Sequence, residues 1–196
     1  MKKLLFAALL ICSSVAVFAQ DEDEEKGGWK SNHLFVGSGV NLGFSNGFII
    51  GLNPEVGYSI NKVIDVGIAT NVTYVTQRSQ LSNYSQRYLA IGAGPFVRIW
   101  PIRSIFIGGQ YEYNKITLSE KLNGVVTQLG KANASSLLVG AGYGSREIGR
   151  MQFYTSIMFD AMNDINSPYR DSFGRIQPVF RTGFLFYLGR KGGEEE

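Results

Sequence analysis

Residues 86–100 read Gln-Arg-Tyr-Leu-Ala-Ile-Gly-Ala-Gly-Pro-Phe-Val-Arg-Ile-Trp. On an extended chain, alternate side chains fall on opposite faces. Leu89, Ile91, Ala93, Pro95, Val97 and Ile99 share one face; Tyr88, Ala90, Gly92, Gly94, Phe96 and Arg98 share the other. A large apolar face set against glycines and a charge fits a strand with lipid outside and a narrow polar lumen inside. A soluble barrel around a small apolar ligand would have the opposite polarity.

The same rhythm recurs along the chain. Strands are predicted over 33–44, 49–60, 63–76, 86–100, 104–117, 134–144, 151–162 and 176–188. After the amino-terminal segment no apolar run is long enough for a membrane helix. The two structures that satisfy a backbone in lipid are helices and closed barrels, so the pattern selects the barrel. The fold class is all-β: an eight-stranded antiparallel up-and-down transmembrane β-barrel over 33–189. Short connections at 61–62, 101–103 and 145–150 alternate with long ones at 77–85, 118–133 and 163–175. Short turns face the periplasm in such barrels and long loops face outside. The connection at 45–47 is the short exception. Pro54 and Pro95 cannot donate to a sheet ladder. Bulges, or stretches outside the hydrogen-bonded zone, are expected there.

Residues 1–19 read as a cleavable secretory signal. Lys2 and Lys3 precede the apolar run Leu4–Ile11, and Val17-Phe18-Ala19 closes it before Gln20. Cys12, the one cysteine, reads as signal filler, so the exported chain has no disulfide. An acidic segment, 20–32, opens the mature chain and an acidic tail, 190–196, closes it. Between the acidic runs 21–25 and 194–196, residues 27–193 hold 16 Lys and Arg against 8 Asp and Glu. Nucleic acid is not the expected partner of that surplus, because the aromatic-basic motifs of nucleic-acid modules are missing. A basic rim facing lipopolysaccharide phosphates fits better.

Three segments carry a family resemblance: Asn53-Pro54-Glu55-Val56-Gly57-Tyr58-Ser59-Ile60 with Val66-Gly67; Gly92-Ala93-Gly94-Pro95-Phe96-Val97-Arg98; and the aromatic last strand Phe180 to Leu188. Together they resemble the small outer-membrane β-barrels, OmpA-like and OmpX-like, with the resemblance spanning 33–189. It implies a Gram-negative outer-membrane location, insertion by the barrel-assembly machinery, lipid and lipopolysaccharide as surroundings, and a monomer.

An eight-stranded barrel is just wide enough to be filled by its own side chains. Glu55, Arg98, Glu112, Asp160 and Arg181 fall on inward faces and form the expected lumen network, with Glu55–Arg98 and Asp160–Arg181 as candidate pairs. Charges in a low-dielectric interior must be paired. Tyr58, Tyr74, Trp100, Tyr111, Tyr113, Tyr143 and Tyr187 are candidates for interfacial girdles. Arg78, Arg87, Lys115, Lys121, Lys131, Arg170 and Arg175 are candidate loop cations for lipopolysaccharide phosphates or an acidic partner. No metal site or cofactor is expected. His33 is the lone histidine, and Gly140-x-Gly142-x-Gly144 is not followed by a helix. The expected function is therefore a non-enzymatic barrel with a side-chain-plugged lumen, in a structural or surface-interaction role. A narrow channel and a lipid A-modifying enzyme are the alternatives.

Overall fold

The computed structural model describes residues 30–45, 47–78, 84–122, 125–170 and 174–189. The signal segment, residues 20–29 of the acidic segment, the acidic tail and the centre of the loop 77–85 lie outside the described residues. Eight strands close into one antiparallel ring in chain order. They are β1 (Leu34–Ser45), β2 (Gly47–Ser59), β3 (Ile64–Arg78), β4 (Tyr84–Ile102), β5 (Ile105–Leu122), β6 (Val125–Gly144), β7 (Gln152–Asp160) and β8 (Val179–Tyr187). The ring closes by pairing β1 with β8, where Gly39 stands opposite Gly183. Among the described residues no helix is long and apolar enough to cross a membrane.

Alternation decides what is inside. Ile68, Ile91, Ile107, Val139, Phe153 and Phe186 stand exposed on the outer wall. Asn41, Asn71, Glu112, Asp160 and Arg181 are buried within it. The core is thus polar and the surface apolar, the inversion that lipid requires. Inward glycines make room for rings. A Cβ on Gly57 would collide with the Phe35 ring, and one on Gly142 with the Phe106 ring.

Short connections follow from local chemistry. The β2–β3 turn is held by Asn61, whose Oδ1 accepts the N–H groups of Val63 and Ile64, each at 2.8 Å. Gly149 takes a positive φ of 86° in the turn between β6 and β7, a conformation glycine adopts without strain.

Three expectations are corrected. No bulge marks either proline: Leu52↔Val72 and Glu55↔Ala69 keep one register across Pro54, as Ala93↔Tyr113 and Phe96↔Gln110 do across Pro95, and pairing on that side is instead interrupted at each proline, the other arrangement expected. At Pro54 a side chain replaces the missing donor, because Asn53 Nδ2 reaches the Thr70 carbonyl at 3.5 Å. The bulges fall elsewhere, between Leu118 and Ser119 and between Ile99 and Ile102.

The expected long loop 118–133 is the second correction. Strands β5 and β6 pair to Leu122↔Val125, so nearly all of it is a two-stranded extension. About 9–11 residues of strand cross a bilayer. β5 and β6 have 18 and 20 residues, so their upper parts stand clear of lipid; β7 and β8 have nine each and do not. The barrel therefore has a high wall, formed by the upper ends of β3–β6, and a low rim formed by β7, β8, β1 and β2. Third, the expected last strand begins at Val179 rather than Ile176, with one isolated bridge, Arg170↔Ile176, before it.

Candidate functional site: a filled lumen with two covered ends

The inward faces stack three polar layers. At the short-turn end Asp65 is fully buried. It accepts from Ser59 Oγ at 2.7 Å, Trp100 Nε1 at 2.8 Å and Arg146. Arg146 comes from the β6–β7 turn and folds beneath the barrel. Its guanidinium also reaches the carbonyls of Asn61 at 2.8 Å and Lys62 at 3.2 Å, and the Tyr187 hydroxyl at 3.1 Å. It lies over the Trp100 ring, 5.3 Å from the centroid. One cation thereby ties two turns together and covers this end.

Above it lies an aromatic belt of Phe35, Phe96, Trp100, Phe106 and Tyr154. The belt frames the Glu55–Arg98 ion pair, 2.5 Å long with both side chains buried. Arg98 is sandwiched between the Phe96 and Tyr154 rings, each centroid 4.6 Å away. The rings stabilise the cation and shield the pair from water. The cavity beside Arg98 measures about 10 Å³, the space of a single water, and is lined by Phe106, Gln110, Tyr154 and Arg181.

The third layer centres on Glu112. Its carboxylate accepts from Asn71 at 2.6 Å, Gln110 at 2.8 Å, Tyr169 at 2.6 Å and Arg181 at 3.4 Å. Arg181 also donates to Asn41 Oδ1 at 2.8 Å and to the side-chain Oε1 of Gln110 at 2.6 Å. Tyr169 belongs to the connection between β7 and β8, whose residues 161–170 turn down into the long-loop end. Burial pushes its phenol well above its usual range, and the Glu112 carboxylate adds to the shift. Ser167 in the same loop donates to Asp160 at 2.5 Å, and Tyr88 on β4 holds the Pro168 carbonyl at 3.1 Å. Arg170 cross-braces the loop through the carbonyls of Met162 and Gly174.

The structure brings Glu55, Arg98, Glu112, Asp160 and Arg181 into one lumen, but separates Asp160 from Arg181. On β7 it is Ser156 that stands opposite Arg181; Asp160 is four residues higher, about 13 Å along the strand. Asp160 instead binds Ser167 and the N–H groups of Leu137 and Met162, both at 3.0 Å.

Among the girdle candidates, Tyr111, Tyr113 and Tyr143 are exposed on the outer wall, and Tyr58 and Tyr74 are half-buried there. Trp100 and Tyr187 are corrected: both face inward and serve the Asp65 layer. Their parity with Arg98 and Arg181 already placed them there.

The cations are also redistributed. Arg170 and Arg175 lie in a loop, whereas Arg78, Arg87, Lys115, Lys121 and Lys131 lie in strands. Asp65 and Arg146 were missed in sequence. Asp65 sits on an inward face at a strand end, a readable signal; Arg146 sits in a turn, where alternation says nothing. His33 Nδ1 meets the Ser59 backbone carbonyl at 2.6 Å. Among the described residues no three potential metal ligands cluster.

No family model matches this chain, and no curated protein does. Solved structures do match. Neisserial surface protein A superposes with a TM-score of 0.50 at 12% identity, over 79% of this chain and 96% of that one. Ail of Yersinia pestis gives 0.47 at 11% identity, over 79% and 95%. CarO of Acinetobacter baumannii gives 0.44 at 12% identity, over 78% and 97%. The first of these, joined to the closed ring and inverted polarity, shows the architecture. The chain has the fold of the small eight-stranded outer-membrane β-barrels.

Proposed function

We propose that this protein is a non-enzymatic outer-membrane barrel whose lumen is plugged by its own side chains, acting structurally or through its long-loop end. The observation that carries this reading is the continuous stack Asp65–Arg146, Glu55–Arg98 and Glu112–Arg181, with Arg146 covering one end and Tyr169 the other. An ion entering such a lumen would have to displace paired charges from a low-dielectric interior, a steep barrier. In this reading the short-turn end is periplasmic. The chain is a monomer set in outer-membrane lipid and lipopolysaccharide, inserted by the barrel-assembly machinery.

Planar-bilayer recording tests the reading. The folded protein should give no steady single-channel openings. Regular openings of constant conductance in the wild-type protein would refute it. The double variant Arg146→Ala with Tyr169→Ala, which uncovers both ends, should raise the frequency of brief events without producing a stable open level.

A further inference from the structure

The strand cations share one face. In β4, Arg87 is in phase with the exposed Leu89 and Ile91; in β5, Lys115 and Lys121 are in phase with Tyr111 and Tyr113; in β6, Lys131 is in phase with Leu137 and Val139. All four side chains therefore leave the high wall on the side that faces lipid lower down. Register brings them together. Lys115 lies between Ile91 and Asn133, and Lys131 stands opposite Thr117, so these two lysines are diagonal neighbours. Arg87 is opposite Ser119 and Lys121 opposite Ser85, which makes a second diagonal pair. Each diagonal is roughly 7–8 Å.

Height matters as much as sidedness. Counting about 11 residues from the start of β5 at Ile105 ends the bilayer-crossing stretch at Lys115. The cluster thus begins where the apolar wall and its tyrosines end. Thr117, Ser119 and Asn133 fill the face between the cations, and Glu120 points to the opposite side. Arg87 has an Nε buried without an acceptor among the described residues. Among the described strand residues the low rim lacks this feature: those facing outward toward the same end include Leu42, Phe48, Ile50, Phe159 and Phe180.

We propose that this face, Arg87, Lys115, Lys121 and Lys131, binds the phosphate groups of a phosphorylated glycolipid whose acyl chains pack on the apolar wall below. The occupant follows from two complementary surfaces that are continuous: an apolar face for chains and, directly above it, a cationic and hydroxyl-rich face for an anionic head. The proposal rests on the membrane-barrel reading, not on the closed lumen.

The test uses the full chain folded into zwitterionic phosphatidylcholine nanodiscs doped with bisphosphorylated lipid A. Lipid A retained through detergent extraction and size-exclusion chromatography is measured by mass spectrometry. Wild-type protein should retain it, and each cation removed by a Gln substitution should weaken retention about fivefold. The combined variant R87Q/K115Q/K121Q/K131Q should lose it. Lys115→Arg with Lys131→Arg should keep it, and R103Q/R150Q, at the opposite end, should match wild type. Folding is followed by heat-modifiable mobility; if the combined variant does not fold, Lys115→Gln and Lys131→Gln singly carry the test, as both sites are exposed. Undiminished retention in these variants overturns the proposal. So does equal retention of dephosphorylated lipid A, or complete displacement by a soluble heparin fragment, which would make the face a polyanion site rather than a lipid site. Steady conductance together with intact retention would refute the closed lumen and leave this site standing.

Discussion

The two ends of the lumen are closed by different physics. At the short-turn end one guanidinium closes the barrel. Arg146 is held by a buried carboxylate and by two backbone carbonyls of the turn that the Asn61 side chain braces. At the long-loop end residues 161–170 of the β7–β8 connection fold inward and are held by hydroxyl groups, Tyr169 on Glu112 and Ser167 on Asp160. An ion pair within a rigid turn is coupled to the whole barrel. A hydroxyl contact from a long loop is coupled mainly to the loop. The first end should therefore unfold with the protein and the second should open without it.

Breaking Arg146 gives the largest expected effect. Arg146→Met leaves Asp65 buried with Ser59 and Trp100 as its side-chain donors among the described residues. Removing one partner of a buried ion pair costs about 3–5 kcal/mol. The urea midpoint of the heat-modifiable band should fall accordingly, and Arg146→Met with Asp65→Asn should recover part of the loss. A single variant as stable as wild type would remove the contrast between the ends.

At the other end Tyr169→Phe deletes one hydrogen bond to a charged acceptor, worth about 1.5–3 kcal/mol. Glu112 keeps Asn71, Gln110 and Arg181, so the barrel itself should hardly notice. The expected signature is local: faster protease cleavage within 161–178 at an almost unchanged urea midpoint. A large drop in that midpoint would mean the loop is integral to the barrel.

Sequence read the barrel well and its ends poorly, for the same reason. In lipid, every second residue must be apolar, so Leu89 to Ile99 announces both a strand and its facing. Above the bilayer that constraint lapses. Ser119, Lys121, Gln128 and Lys131 dilute the alternation and the bulge beside Leu118 and Ser119 shifts its phase, while pairing continues to Leu122↔Val125, so the β5–β6 extension reads as a loop. Trp100 and Tyr187 were misplaced by residue type although their parity was correct. Arg146 and Tyr169 act from connections, where no periodicity points a side chain anywhere. Alternation gives facing but not register: Glu55 stands level with Ala69 and Gly94, four residues from Arg98, and the two still pair across β3, whereas Asp160 and Arg181, also four residues apart across β7 and β8, do not.

The smallest predicted effect isolates the loop end by pH. An undocked tyrosine ionises near its ordinary value of about 10. Docked against Glu112, Tyr169 holds its proton to well above that, because burial and the neighbouring carboxylate both oppose a phenolate. The neutral docked form is therefore fully favoured below about pH 10, and closure weakens by up to about 1.4 kcal/mol per pH unit above it, as the open loop gains an ionised state that the closed one lacks. Hydrogen exchange across 161–178 at pH 9 and pH 11 measures this, referenced to Tyr169→Phe, which removes the titrating group and keeps the ring. Extra opening of wild type relative to that variant at pH 11 supports the latch. Parallel behaviour of the two proteins would show that something other than the Tyr169 hydroxyl holds the loop down.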